Sequence, residues 1–293
     1  MNKTCRKTPH PATYCFLVFF ALTALCTEVN ARRAVPDDNL AYPVLITLKG
    51  GEQGSGFFLN LQASSFLVTA RHVLFKEGTD DFLASEVEIL SYAKDPNDKG
   101  KNIFQLNLAA LKQAGNIKRH PTQDVAVVRI GVPIQGTDPV SLNTVAGVVL
   151  KEKATSGILG VAESAVKRFS DVLTANQVFI FGFPTSIGLK AIPQIDYLKP
   201  LLRAGIVAGT NEQARTIILD CPSYGGNSGG PVLEVEEENL GKKFRIIGVV
   251  SQFVPVAEMW LNMAHRYTNT NISNSGYAIA IPTDFVLDLT SQF

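Results

Sequence analysis

Gly225-Gly226-Asn227-Ser228-Gly229-Gly230-Pro231-Val232 carries one hydroxyl on a glycine-rich turn between two strand-like runs, residues 216–220 and 231–235. Glycine lacks a Cβ, so several in succession allow positive φ and let backbone N–H groups converge. A serine becomes a nucleophile once a base takes its proton, and the intermediate it forms needs donors aimed at an oxyanion. The stretch therefore reads as a nucleophile loop, with the amides of Gly226 and Ser228 as the two donors.

Working outward, a base and an acid are the next requirements. His72 ends Ser65-Phe66-Leu67-Val68-Thr69-Ala70-Arg71-His72-Val73, where an alternating strand runs into a turn. Asp124 opens Asp124-Val125-Ala126-Val127-Val128-Arg129-Ile130, a strand preceded by the turn at His120-Pro121. With Ser228 they give the order His, Asp, Ser. The imidazole has to accept the serine proton while a buried carboxylate holds its tautomer and orientation.

The chain has 293 residues, is 46% hydrophobic and 18% charged, and has a mean hydropathy of +0.13. That is enough apolar material for one large domain or two small ones. A formal net charge of +1 without a run of lysine and arginine excludes nucleic acid as the expected partner. A polypeptide or ester is the expected substrate.

Residues 1–31 read as a signal peptide. Lys3, Arg6 and Lys7 precede an apolar run over residues 14–26, and Val29-Asn30-Ala31 offers small residues before a cut. The run is short for a bilayer span, so no stable membrane span is expected after cleavage, and the location is secreted or periplasmic. An uncleaved signal anchor is the alternative; lipid modification at Cys26 is disfavoured by the bulky Leu25. Removal of the leader takes away three of the 27 basic and one of the 26 acidic residues. It also leaves Cys221 as the one remaining cysteine of four, so no internal disulfide is expected and core burial must stabilise the domain. His72, His120 and His265 show no paired ligand spacing, so neither metal nor cofactor is expected.

Short strands dominate the rest. They are expected over residues 44–48, 54–59, 65–69, 87–92, 103–108 and 125–130, then over 177–182, 201–207, 216–220, 231–235, 244–253 and 277–281, separated by polar turns. Residues 132–149 read as the connection between the two sets. Residues 161–173 place apolar side chains at helical spacing, with Glu163, Lys167, Arg168 and Asp171 opposite, which predicts an amphipathic helix. A short C-terminal helix is expected from Thr283. The class is all-β.

Gly54-Ser55-Gly56-Phe57, Thr69-Ala70-Arg71-His72, Asp124-Val125-Ala126-Val127-Val128 and Gly226-Asn227-Ser228-Gly229-Gly230-Pro231 together resemble the chymotrypsin-like serine peptidases. The absence of disulfides and the asparagine before the serine are similar to bacterial types, such as glutamyl endopeptidases and high-temperature-requirement proteases without a PDZ domain. The resemblance implies two six-stranded antiparallel β-barrels with the active site between them. Residues 36–135 would form the N-terminal barrel carrying His72 and Asp124, and residues 145–293 the C-terminal barrel carrying Ser228. It also implies a Ser-His-Asp triad working through an acyl-enzyme, with Ser251-Gln252-Phe253 on the strand that pairs with an extended substrate. Pro222 stands where trypsin has the acidic floor of its specificity pocket, so preference for lysine or arginine is not expected. Asn227 removes the charge that pairs with a new N-terminus in animal trypsins. A phenyl ring at Phe253 either narrows the pocket, favouring a small or apolar residue before the cut, or fills it.

Two other readings compete. Gly226-Asn227-Ser228-Gly229-Gly230 also fits the G-x-S-x-G elbow of α/β-hydrolases, with His265 and Glu258 completing a triad. That leaves His72 and Asp124 unexplained and conflicts with the strand pattern. The second is a catalytically silent or latent protease fold, its cleft blocked by Phe253, acting as a binding module.

Overall fold

In the computed structural model, residues 35, 40–61, 63–134, 141–184, 192–238 and 241–293 are described. The chain divides into units 1–37 and 38–293; the expected signal peptide lies outside the described residues, and every named strand and helix belongs to the second unit. Its first strands are β1 (Val44–Leu48), β2 (Gln53–Leu61), β3 (Ser64–Thr69), β4 (Glu86–Tyr92) and β5 (Lys101–Asn107). They are followed by β6 (Ile117–Arg119), β7 (Ala126–Pro133), β8 (Leu142–Thr144), β9 (Val148–Glu152) and β10 (Val161–Ala162). Alternation makes them: in β5, Asn102, Phe104 and Leu106 turn inward while their neighbours are partly exposed or exposed. Val44, Ile46, Phe58, Leu67, Ile89, Phe104 and Leu106 form the first core. Each large apolar side chain buried there contributes roughly 1.5–3 kcal/mol.

These ten strands form one sheet, ordered β6-β7-β3-β2-β1-β4-β5-β9, with β8 added on β7 and β10 on β2. The expected six-stranded first barrel is thus a ten-stranded curled sheet. The additional strands, β6, β8, β9 and β10, are two to five residues long, too short for alternation to announce them. Two of them correct the expected division: β8 pairs with β7 and β9 with β5, so residues 142–152 belong to the first half and not to a connector or to the second.

The second half is a closed barrel ordered β11-β12-β13-β16-β15-β14. Its strands are β11 (Gln177–Gly182), β12 (Leu201–Asn211), β13 (Thr216–Asp220), β14 (Pro231–Glu238), β15 (Gly241–Asn262) and β16 (Tyr267–Pro282). Val178, Ile180, Val207, Ile217, Leu219, Val232, Ile247 and Val250 fill it, together with Cys221. Helices are few among the described residues: α1 (Arg71–Leu74), α2 (Leu108–Gln113) and α3 (Thr283–Thr290), the last being the expected C-terminal helix.

The amphipathic helix expected over residues 161–173 does not form. Val161 and Ala162 pair in parallel with Leu59 and Asn60, and Glu163–Ala165 and Phe169–Asp171 make only single 3-10 turns. Tertiary partners override the helical spacing. Val166 bridges Ile246, the Lys167 N–H donates to Ile246 O, and the Lys167 side chain is buried, its ammonium 2.6 Å from Glu234 and 2.5 Å from Glu236. Burial alone would lower the Lys167 pKa, but its bonds to the two carboxylates outweigh that and hold it above the ordinary value. A residue assigned to the wet face is thus an internal anchor.

β15 and β16 also run past their expected ends at Phe253 and Tyr277. They pair from Gly248↔Pro282 to Asn262↔Tyr267, with bulges between Val250 and Gln252 and between Phe253 and Pro255. From Pro255 to Asn274 the pair leaves the barrel as a two-stranded arm, most of it exposed.

Candidate active site

β3 ends at Thr69, and Ala70, still extended at φ −70° and ψ 144°, leads into α1. This places His72 one residue into a short helical turn beside the segment that precedes β7. There the His72 N–H donates to Asp124 Oδ1 at 3.0 Å, and its Nδ1 lies 2.8 Å from Asp124 Oδ2. The Ser251 hydroxyl donates to the same Oδ2 at 2.6 Å. Burial pushes the Asp124 pKa up, but the hydrogen bond and charge of His72, with the Ser251 hydroxyl, more than offset it and leave the carboxyl below its ordinary value. Asp124 is therefore ionised at neutral pH, and in the neutral form of the His72 ring a proton on Nδ1 would donate to this carboxylate and leave Nε2 to accept.

The turn carrying Asp124 is itself held. Arg71 donates to the carbonyls of His120 and Pro121, at 3.4 and 3.1 Å. The His120 ring accepts the Gln123 N–H on Nδ1 at 2.9 Å and packs edge-on against Phe285. Burial pushes the His120 pKa down, with Arg71 adding to the fall and Asp288 opposing it.

Ser228 arrives from the second barrel. Asn227 is buried; its N–H donates to Tyr224 O and its Oδ1 accepts the Tyr224 N–H, which closes the loop on itself. Gly226 has φ +95° and Gly229 +89°, both in the left-handed region. Among the described residues the N–H groups of Gly226 and Ser228 have no acceptor. The Ser228 hydroxyl donates to Ser251 O at 3.0 Å, so in this state it turns to β15 and not to the ring of His72.

A residue to which sequence reasoning gave no role fixes the loop. Ser55, fully buried in β2, donates its N–H to Ser228 O at 2.9 Å and its hydroxyl to Gly226 O at 2.6 Å. The same hydroxyl accepts the Phe183 N–H at 3.0 Å, and the Ser55 carbonyl accepts the Thr69 hydroxyl at 2.7 Å. Contact here is tight: a Cβ on Gly229 would collide with both Ser55 O and Thr69 Oγ1. A buried polar residue between two strand glycines was the available signal, since such a group must find partners.

His72, Asp124, Ser228, Ser251, Gln252 and Phe253 all line one open cleft of about 720 Å³. Pro222 does not line it, whereas its neighbours Ser223 and Tyr224 do. Phe253 lies at the wall, exposed, and leaves the cleft open. Glu258 and His265 sit on the arm, with His265 in the turn that closes it, and neither lines the cleft.

Such a cleft, built around a glycine-loop serine and a paired histidine and aspartate, defines a serine-hydrolase type of site. The family model of the trypsin-like peptidase domain matches residues 54–241, more than half of the chain, and the protein belongs to that family of serine-type peptidases. No curated protein matches it. Among solved structures, Deg5 is 19% identical with a TM-score of 0.48, over 86% of this chain and 88% of its own. The HtrA-type protease AlgW, determined with a tripeptide, is 17% identical with a TM-score of 0.46, over 86% of this chain and 60% of its own. The serine endoprotease from Yersinia pestis is 15% identical with a TM-score of 0.43, over 88% and 67%.

Proposed function

We propose that the protein is an exported serine endopeptidase that cuts polypeptides through an acyl-enzyme, with Ser228, His72 and Asp124 as its triad. Ser228 Oγ attacks the scissile carbonyl while Nε2 of His72 takes its proton, and the N–H groups of Gly226 and Ser228 receive the oxyanion. The C–N bond then breaks as His72 passes that proton to the leaving amine. Water, deprotonated by His72, attacks the ester, and the bond between the acyl carbon and Ser228 Oγ breaks as His72 returns that proton to Oγ, which releases the acid. Asp124 keeps the ring oriented and offsets the imidazolium charge. Export rests on the leader read in residues 1–31. Among the described residues no helix is long and apolar enough to cross a membrane.

One observation carries the reading: a partly buried, ionised carboxylate on Nδ1 of a half-exposed histidine, in an open cleft shared with the glycine-loop serine. The bond from Ser228 to Ser251 O favours a second, latent state in which the hydroxyl must swing to His72 before it reacts. Reaction with a fluorophosphonate, followed by intact mass, tests both. The wild type is expected to gain one adduct that Ser228→Ala and His72→Ala lose. A folded wild type that takes no label, but does so once a peptide substrate is added, is the latent form. No label under either condition overturns the peptidase reading.

A further inference from the structure

β15 changes character at Ser251. Up to Val249 it is paired on one side by β14, and Gly229 and Gly230 continue that pairing by exchanging hydrogen bonds with Val250 at 2.7 and 2.9 Å. Among the described residues, β16 alone pairs with it beyond this point, as far as Asn262. One edge of β15 is therefore open from Ser251 onward, and it starts at Ser228, because the Ser251 carbonyl accepts the Ser228 hydroxyl. At roughly 3.3 Å per residue, the edge then runs about 35 Å from Ser251 to Asn262.

The two strands of the arm differ in what they carry. β15 brings Met259, Trp260 and Leu261, exposed at 77%, 65% and 62%. The facing part of β16 is mostly Thr268, Asn269, Thr270, Asn271 and Ser273. Cross-strand pairing sets Ala257, Met259 and Leu261 on one face with Ile272, and Val256 and Trp260 on the other. A lone two-stranded ribbon is marginal in water and normally finds a third strand, while a long apolar edge left open is a template for pairing with another chain. Pro255, which gives no N–H, is of a kind tolerated at an edge. The base of the arm is tied to the segment before the nucleophile loop, because Asn274 donates to Ser223 O at 2.5 Å. The edge therefore keeps its alignment with Ser228.

We infer that this edge, from Phe253 to Asn262, is a track for the part of an extended polypeptide substrate that precedes the cut, which adds itself to the arm as a third strand. The inference rests on the peptidase reading above. In an antiparallel pairing the reacting carbonyl stands opposite Ser251, and residues progressively further upstream stand opposite later residues of β15. The track takes roughly ten upstream residues, one for each residue of the edge. Main-chain bonds make it indifferent to most sequence, while the apolar side chains of the arm favour apolar residues at alternate positions. The substrate class is thus an unfolded or unfolding polypeptide, since a folded surface does not offer a strand of that length.

The test uses the full chain and fluorogenic peptides built on one cleaved core, with three, six or ten residues before the cut. We expect kcat/KM to rise at least tenfold from three residues to ten, mainly through KM. Single N-methylation of the upstream peptide bonds is expected to erase the gain at alternate positions, a readout that leaves the enzyme unaltered. Met259→Ser combined with Leu261→Ser is expected to bring the ten-to-three ratio towards one. A flat ratio in the wild type overturns the track, and hydrolysis of the three-residue peptide then leaves the peptidase reading standing. If no peptide is cut and no fluorophosphonate adduct forms, both fall together. If the double variant instead turns an oligomer into a monomer by sedimentation and keeps the tenfold gain, the edge is an interface between copies and the track is overturned.

Discussion

β15 passes through two opposite environments within a dozen residues. Around Val250 it is locked between the glycine loop and β16, beside a junction where Gly229 has no room for a methyl group and Ser55 makes four hydrogen bonds. Around Met259 the same strand stands in solvent on both faces, held by one partner. On the proposed function, the contrast separates two tasks. Oxyanion donors must be fixed before the reaction begins, because preorganised dipoles need no rearrangement at the transition state. A surface that accepts many sequences gains from being left incomplete.

The sharpest way to break this contrast is one small substitution at each end. Gly229→Ala drives a methyl into the Ser55 carbonyl at a φ of +89°, so a loss of about 4 kcal/mol or more, or failure to fold, is expected in thermal melts. Met263→Ser in the arm turn should stay within about 0.5 kcal/mol. Equal effects would mean that the two ends are not differently built. Next in size, Lys167→Met strands the fully buried carboxylate of Glu234 without its cation, and a loss of about 3–5 kcal/mol is expected in urea denaturation.

Ser55→Ala probes the junction more finely. It removes the hydroxyl that donates to Gly226 O and accepts from Phe183 N, at a stability cost of about 1–2 kcal/mol. Because the N–H of Ser55 still holds Ser228 O, the loop should stay folded but less well fixed. A fall in kcat of about tenfold or more, with KM nearly unchanged, is the signature of a positioning residue. A change in KM alone would contradict that role. The smallest effect concerns the turn that carries Asp124. Burial lowers the His120 pKa, so as pH falls below 6.5 the native state takes up its proton later than the unfolded chain does. The stability this gives is present above the ordinary value of 6.5 and is lost as pH falls through the lower native value. Urea midpoints at pH 7.5 and 5.5 should show the loss in the wild type, at about 1 kcal/mol or less, and not in His120→Asn.

Much of this is legible in the sequence. β13 falls on its expected residues, and β1 and β11 do too, because alternation with glycine or aspartate at the ends is a local signal. His72, Asp124 and Ser228 are each visible at the end of such a strand or on a glycine loop, and the fold brings them to one cleft. What is illegible depends on partners far along the chain. The spacing over residues 161–173 is helical on paper, but β2, β15 and Glu234 claim those residues individually. The arm is longer than expected because Pro255 and the Asn, Thr and Ser run before Tyr277 carry turn chemistry, and only pairing between the two strands makes them regular. Ser55 reads as a small strand residue, since its role exists only once the second barrel presents Gly226 and Ser228 to it.

The buried thiol in the second core has a use of its own. Cys221 is fully enclosed, and its pKa is pushed up to about 11, chiefly by burial. It is the one cysteine among the described residues, so no covalent staple joins the strands there and oxidants find no exposed thiol among those residues. An alkylating reagent can reach it only when the barrel comes apart. The rate at which Cys221 gains an adduct in native buffer is therefore a built-in clock for barrel opening, and substrate bound across the cleft should slow it.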